Sequence, residues 1–119
     1  MPINIIYLED EPILCELFAE YFESENVIIK TYCEVQEAIE AVQKNPPDLF
    51  FIDYRLPGFT GDQVALQLDP QIPKYLITGD INIQTKYPFI KIVQKPYSRV
   101  EIEDILNEAL KKSDHKKTA

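Results

Sequence analysis

Five polar residues stand out by type and placement. Glu9, Asp10, Asp53, Thr78 and Lys95 each lie at or just past the end of a short apolar run. Carboxylates brought together repel one another unless a cation sits among them. An all-oxygen set suits Mg2+, which commonly takes one or two carboxylates and keeps several waters. Lys95 would add a compact positive charge and Thr78 a hydroxyl donor. Cation, ammonium and hydroxyl around one carboxylate make a pocket for a transferred phosphoryl group, with Asp53 as the in-line nucleophile.

Taken singly, each residue has a plainer use. Asp53 could cap the turn before Pro57, and Glu9-Asp10-Glu11 could be a solvated helix N-cap and first turn, favoured by the helix dipole. Capping and metal binding are compatible, and both are expected. Thr78 could be an ordinary strand threonine and Lys95 a surface lysine. Tyr54, Phe59 and Tyr97 are expected to serve packing.

The elements that must position these residues follow from the apolar pattern. Leu49-Phe50-Phe51-Ile52 runs straight into Asp53 and then a turn, Tyr54-Arg55-Leu56-Pro57-Gly58, as a strand buried on both faces would. A charge at the rim of a core is costly unless something pairs with it. Upstream, Ile3–Leu8 predicts a strand, and Pro12 opens a helix through Glu23. Ile13, Leu14, Leu17, Phe18, Tyr21 and Phe22, with Cys15 and Ala19, give that helix an apolar arc wider than one-sided packing needs. The helix is expected to be well buried, with Leu14 and Cys15 at the edge of the arc and free for a partner. Val27–Tyr32 predicts a strand, Glu34–Lys44 a helix ended by Asn45-Pro46-Pro47-Asp48, and Asp62–Leu68 a short helix. Lys74–Thr78 and Ile90–Val93 predict the last strands. Val100 to Leu110 marks the last helix.

Strands alternating with helices imply a parallel sheet covered on both sides. Right-handed crossovers leave few topologies. Five strands favour a flavodoxin-like, doubly wound α/β fold of order 2-1-3-4-5. Ligands bind such sheets where the order reverses, off the carboxyl ends of strands 1 and 3. Those ends are Glu9-Asp10 and Asp53.

The totals bound the alternatives. A chain of 119 residues, 45% hydrophobic, supports one core. A single domain over 1–112 and a polar, disordered tail over 113–119 are expected. The net charge of −8 argues against non-specific binding to nucleic acid or anionic membrane. No apolar run approaches the ~20 residues of a membrane span, and no secretory signal is visible. Cys15, Cys33 and His115 fit no metal spacing and are taken as incidental. A reducing cytoplasm is the expected location.

The sequence E-D-E-P after strand 1, F-I-D-Y-R-L-P-G across the end of strand 3, I-T-G after strand 4 and Q-K-P-Y after strand 5 resembles the receiver domain of two-component response regulators, over nearly the whole chain. That resemblance implies that Asp53 accepts a phosphoryl group from a histidine kinase or phosphotransfer protein. Asp10, Asp53 and the backbone carbonyl of Arg55 would bind Mg2+, with Glu9 acting through a metal-bound water. Lys95 would pair with Asp53 and then with the phosphoryl oxygens, and Thr78 would move to hydrogen-bond the phosphate. Lys95-Pro96 matches a peptide that is usually cis in the family. The implied protein is a cytoplasmic, phosphorylation-dependent switch with self-catalysed transfer and slow autodephosphorylation, rather than an enzyme with a foreign substrate. Its partner would dock through helix 1 (Leu14, Cys15) and the Lys95-Pro96 loop. A monomer is expected.

Three departures qualify the match. Ile92 stands where the family usually has a Tyr or Phe in strand 5. Only 25 positions separate Asp53 from Thr78, and 17 separate Thr78 from Lys95, so the regions of helices 3 and 4 are expected to be short or irregular. Arg55 and Asp80, two residues past Asp53 and Thr78, would border the phosphate and influence its lifetime. The alternative reading is a degenerate receiver that serves as an interaction module without a working phospho-switch. A phosphohydrolase of the haloacid dehalogenase type would need D-x-D, and Arg55 occupies the third position. A dinucleotide site would need G-x-G-x-x-G after strand 1, where the chain is acidic.

Overall fold

A computed structural model describes the backbone of residues 2–118 and the side chains of residues 2–113. The chain runs β1 (Ile3–Leu8), α1 (Pro12–Phe22), β2 (Val27–Tyr32), α2 (Val35–Lys44), β3 (Leu49–Asp53), β4 (Arg55–Leu56), β5 (Phe59–Thr60), α3 (Gly61–Leu66), β6 (Lys74–Thr78), β7 (Lys91–Gln94) and α4 (Arg99–Thr118). The five long strands form one sheet of order β2-β1-β3-β6-β7, all parallel. This is the flavodoxin-like order expected from the alternation of strands and helices. The expected tail, 113–119, with His115, falls largely outside the described side chains.

The apolar sequence of β3 has its structural reason in this order. The strand pairs with β1 on one side and β6 on the other, and all five of its residues are buried. Successive side chains point to opposite faces. Phe51 therefore packs with Tyr7, Phe18 and Phe22 and with Ile102, Ile105 and Leu106 of α4. Phe50 and Ile52 pack on the other face with Val35, Ile39 and Val42 of α2 and Val64 of α3. Each fully buried side chain of this size contributes ~1.5–3 kcal/mol of apolar transfer. The middle strand thus joins both halves of the core.

Helix α1 meets the sheet along a narrower stripe than its composition suggests. Cys15, Phe18 and Phe22 are buried, whereas Ile13 (71% exposed), Leu17 and Tyr21 face outward. The expectation that α1 is buried over most of its arc is therefore corrected: the sheet offers the helix one contact face. Cys15 is also corrected. It is buried and offers nothing to a partner at the surface.

After β3 the chain makes a small antiparallel hairpin, β4 with β5. Gly58 takes φ +77° at its turn, a conformation that glycine adopts without Cβ strain. Thr60 caps α3 through a reciprocal capping box with Gln63, and α3 has only six residues. Phe59, expected to pack, is exposed.

Among the described residues no helix lies between β6 and β7. The segment is nevertheless anchored. Lys74, 1% exposed, donates from Nζ to the Tyr87 hydroxyl (2.9 Å) and to the carbonyls of Asp69 (2.6 Å) and Ile72 (3.1 Å). Tyr87 and Phe89 pack on the second core cluster, where they cover apolar side chains that a helix would otherwise cover.

Candidate functional site

The carboxyl ends of β1, β3, β6 and β7 bring the five singled-out residues to one edge of the sheet. Carboxylate oxygens of Glu9, Asp10 and Asp53 lie within 4.8 Å of one another. Lys95 Nζ sits 3.0 Å from Asp53 Oδ1 and 3.4 Å from Glu9 Oε1. The Lys95 N–H donates to the Thr78 carbonyl (2.7 Å), which fixes its backbone beside the end of β6; the Lys95–Pro96 peptide is cis. Thr78 is buried, and its hydroxyl oxygen accepts from the Asp80 N–H at 3.0 Å. A cleft of about 210 Å³ opens beside Asp53, lined by Arg55, Thr78, Gly79, Asp80 and Lys95.

Glu9 is not the solvated helix cap that its sequence context allowed. It is 1% exposed, and its Oε2 has no hydrogen-bond partner among the described residues. Burial pushes its carboxyl up to about 8, and the neighbouring Asp53 carboxylate adds to the rise while Lys95 opposes it. The N-cap position of α1 is Glu11, which makes no side-chain capping bond, so the expected side-chain cap is absent there. Burial works to lower Lys95, but the carboxylates of Asp53 and Glu9 outweigh it and hold the ammonium above its usual value. A buried carboxylate oxygen with no donor, beside two further carboxylates, is what an oxygen-ligated cation would satisfy.

Two charged groups border the cleft. Arg55 is exposed and makes a two-point pair with Asp80, with Nε 2.7 Å from Oδ2 and Nη2 3.1 Å from Oδ1. Ile92 is 42% exposed on β7.

Asp62 and Gly61, which open α3 next to Asp53, were not legible as parts of this region, and the burial of Lys74, at the opposite end of β6, was not legible either. Asp62 is buried. Burial would raise its carboxyl, but the Thr60 hydroxyl and the Lys86 N–H (3.1 Å) hold it below the usual carboxylate value. The T-x-x-Q spacing of Thr60 and Gln63 was the one available signal, since it marks a helix start. Gly61 lies directly under the Asp53 main chain.

A family model for the response regulator receiver domain matches residues 5–107. The chain belongs to this family. Receiver domains of two-component systems are regulatory domains rather than dedicated enzymes. The chain is 29% identical over 121 residues to the nitrogen assimilation regulatory protein NtrX of Azorhizobium caulinodans, covering 92% of this chain and 26% of that one. It is 27% identical over 109 residues to the probable transcriptional regulatory protein TcrX of Mycobacterium tuberculosis, covering 85% and 47%. It therefore spans less than half the length of these curated relatives. Among solved structures, a CheY-like receiver domain from Methylobacillus flagellatus superposes with a TM-score of 0.80 at 20% identity, covering 92% of this chain and 99% of that one. The signal receiver domain of an HD domain-containing protein from Pseudomonas fluorescens Pf-5 gives 0.85 at 14% identity, covering 97% and 99%. At these identities the likeness concerns the fold. In this receiver domain the β6–β7 connection carries no helix among the described residues, and α3 is short.

Proposed function

We propose that this receiver domain accepts a phosphoryl group on Asp53 from a histidine kinase or phosphotransfer protein, with Mg2+, and thereby changes its affinity for a partner. The observation that carries this reading is the approach of Lys95 Nζ to Asp53, which is clustered with two further carboxylates, Glu9 and Asp10. Asp10, Asp53 and the Arg55 backbone carbonyl would hold the cation, with Glu9 acting through a water. When bound, Mg2+ would offset the carboxylate repulsion and the negative charge of the incoming phosphoryl group. Asp53 supplies the attacking oxygen. Lys95 neutralises that carboxylate at rest and can turn to the phosphoryl oxygens afterwards. Thr78 keeps its hydroxyl proton available as a donor while its oxygen accepts from Asp80.

The kinase-facing surface fits the apolar cleft formed by Tyr7, Leu14, Tyr21, Pro96 and Tyr97 beside Lys95, extended by the exposed Ile13 and Leu17 of α1. Among the described residues no helix is long and apolar enough to cross a membrane. A cytoplasmic, monomeric receiver is the accompanying proposal.

The test is intact-mass measurement after incubation with Mg2+ and acetyl phosphate. One phosphate should add to the native chain and none to Asp53→Asn, while Lys95→Ala should react ~100-fold more slowly, as expected for loss of one preorganised charge contact. Phosphorylation of Asp53→Asn at the native rate would refute the assignment.

A second reading is a degenerate receiver that serves as an interaction module without a working switch. It is favoured by Ile92 at the usual aromatic position and by the helix-free β6–β7 connection. Backbone amide shifts confined to the pocket on phosphorylation, with unchanged partner affinity, would decide for it.

A further inference from the structure

Cys15 and Cys33 are far apart in sequence and in secondary structure, yet their sulfurs lie 3.7 Å apart. Cys15 sits in the first turns of α1 and is buried; Cys33 follows β2 and is exposed. Both flank the main chain of Glu9. The Cys15 thiol donates to the Glu9 carbonyl at 3.2 Å, and the Glu9 N–H donates to the carbonyl of Tyr32, the residue before Cys33, at 3.0 Å.

We propose that Cys15 and Cys33 form a redox-active pair that closes to an intramolecular disulfide and thereby alters the peptide that presents Glu9. The oxidant is a small-molecule disulfide. The exposed Cys33 is the site of first attack: as thiolate it displaces one half of the oxidant as a thiolate and forms a mixed disulfide. Cys15 gives up its proton to the departing thiolate or to water. Its sulfur then attacks Cys33 Sγ, and the second half of the oxidant leaves. Two protein thiols are oxidised and one external disulfide is reduced to two thiols. Two sulfurs already in contact make the second step intramolecular and local, which favours closure over a persistent adduct. Once closed, Cys15 has no S–H to donate, so the Glu9 carbonyl loses that donor. The redox state of the pair is thus tied to the backbone of the acidic cluster, independently of whether Asp53 is phosphorylated.

The experiment treats the native chain with oxidised glutathione, followed by intact mass, non-reducing peptide mapping and amide spectra. The expected product has lost two hydrogens, links the Cys15 and Cys33 peptides, reverts with dithiothreitol, and shifts the Asp10 amide, whose peptide carbonyl is that of Glu9. Cys15→Ser should stop as a glutathione adduct on Cys33, and folded Cys33→Ser should resist modification. A stable adduct on the native chain, a disulfide-linked dimer, or an unreacted protein would overturn the proposal. So would a closed disulfide that leaves the Asp10 amide in place.

Discussion

Arg55 and Asp80 are joined by two hydrogen bonds, 2.7 and 3.1 Å, across the mouth of the cleft that holds Asp53. The pair links the hairpin after β3 to the residue two past Thr78. Exposed ion pairs contribute little to stability, and this one is 78% exposed on the arginine side. Its consequence is expected in the chemistry instead. Arg55→Ala should open the mouth to water and shorten the life of the aspartyl phosphate several-fold. Asp80→Ala should free the guanidinium to reach the phosphoryl oxygens and lengthen it. Decay of the phosphorylated mass over time measures both, and thermal midpoints should stay at the native value. Equal lifetimes in all three proteins would remove Arg55 and Asp80 from the mechanism.

Glu9 sets the pH response of the metal-free protein. Its carboxyl is pushed from 4.5 to about 8 by burial and by Asp53, so between those values the folded chain holds a proton that the unfolded chain has released. Stability must therefore fall as pH rises across that window. Each tenfold difference in proton affinity corresponds to about 1.4 kcal/mol, so a loss on the order of a few kcal/mol is expected. A divalent cation should reverse the loss at pH 8, since an ion inverts the local charge balance. Glu9→Gln should flatten the profile. Urea unfolding at pH 5 and pH 8, with and without Mg2+, checks this. A native profile that rises between those pH values would contradict the burial argument.

Much of this was legible in the chain. The run Leu49–Asp53 announced a strand buried on both faces because no polar residue interrupts it, and the central place of β3 is the cause. Asp10, Asp53, Thr78 and Lys95 were legible because each follows an apolar run, and a parallel sheet sends all such ends to one edge. The missing helix was legible as a shortage of residues between Thr78 and Lys95. Other features depend on tertiary neighbours. The arc of α1 could not say that only Cys15, Phe18 and Phe22 would meet the sheet. The contact between Cys15 and Cys33 is made only when α1 and the end of β2 pack. Lys74 has the sequence context of an ordinary strand lysine, and its burial depends on carbonyls and a hydroxyl that no local pattern marks.

Lys74 and Tyr87 give the β6–β7 connection its order. The ammonium is buried and takes one of its three acceptors from the Tyr87 hydroxyl, 2.9 Å away, with the ring also beneath it at 4.9 Å. Tyr87→Phe keeps the ring and removes the acceptor. A buried group left short of a partner costs ~1–3 kcal/mol. The variant should lose about that much stability, and amide exchange should rise between residues 79 and 90 while α2 stays protected. Unchanged exchange there would mean that Phe89 packing alone holds the connection.

Gly61 tests how closely the acceptor strand is supported from below. A Cβ at this position would lie 2.8 Å from the Asp53 carbonyl oxygen and 2.7 Å from Leu76 Cδ1. The leucine can rotate away, but the carbonyl belongs to the backbone of β3, whose pairing with β6 includes Asp53 itself. The Gly61 N–H is also fixed, donating to the Tyr54 carbonyl at 2.7 Å, so the glycine cannot retreat without breaking the turn. Gly61→Ala must therefore move the main chain of Asp53. Overpacking of this kind costs ~1–3 kcal/mol. Because the displaced carbonyl belongs to the acceptor residue, modification by acetyl phosphate should slow even at temperatures where the variant is fully folded. Gly58→Ala is the control: its Cβ would meet nothing within 4 Å, and its cost comes only from φ +77°. That variant should lose stability and keep the native phosphorylation rate when folded. Equal slowing in both would assign the effect to the hairpin rather than to the contact under Asp53.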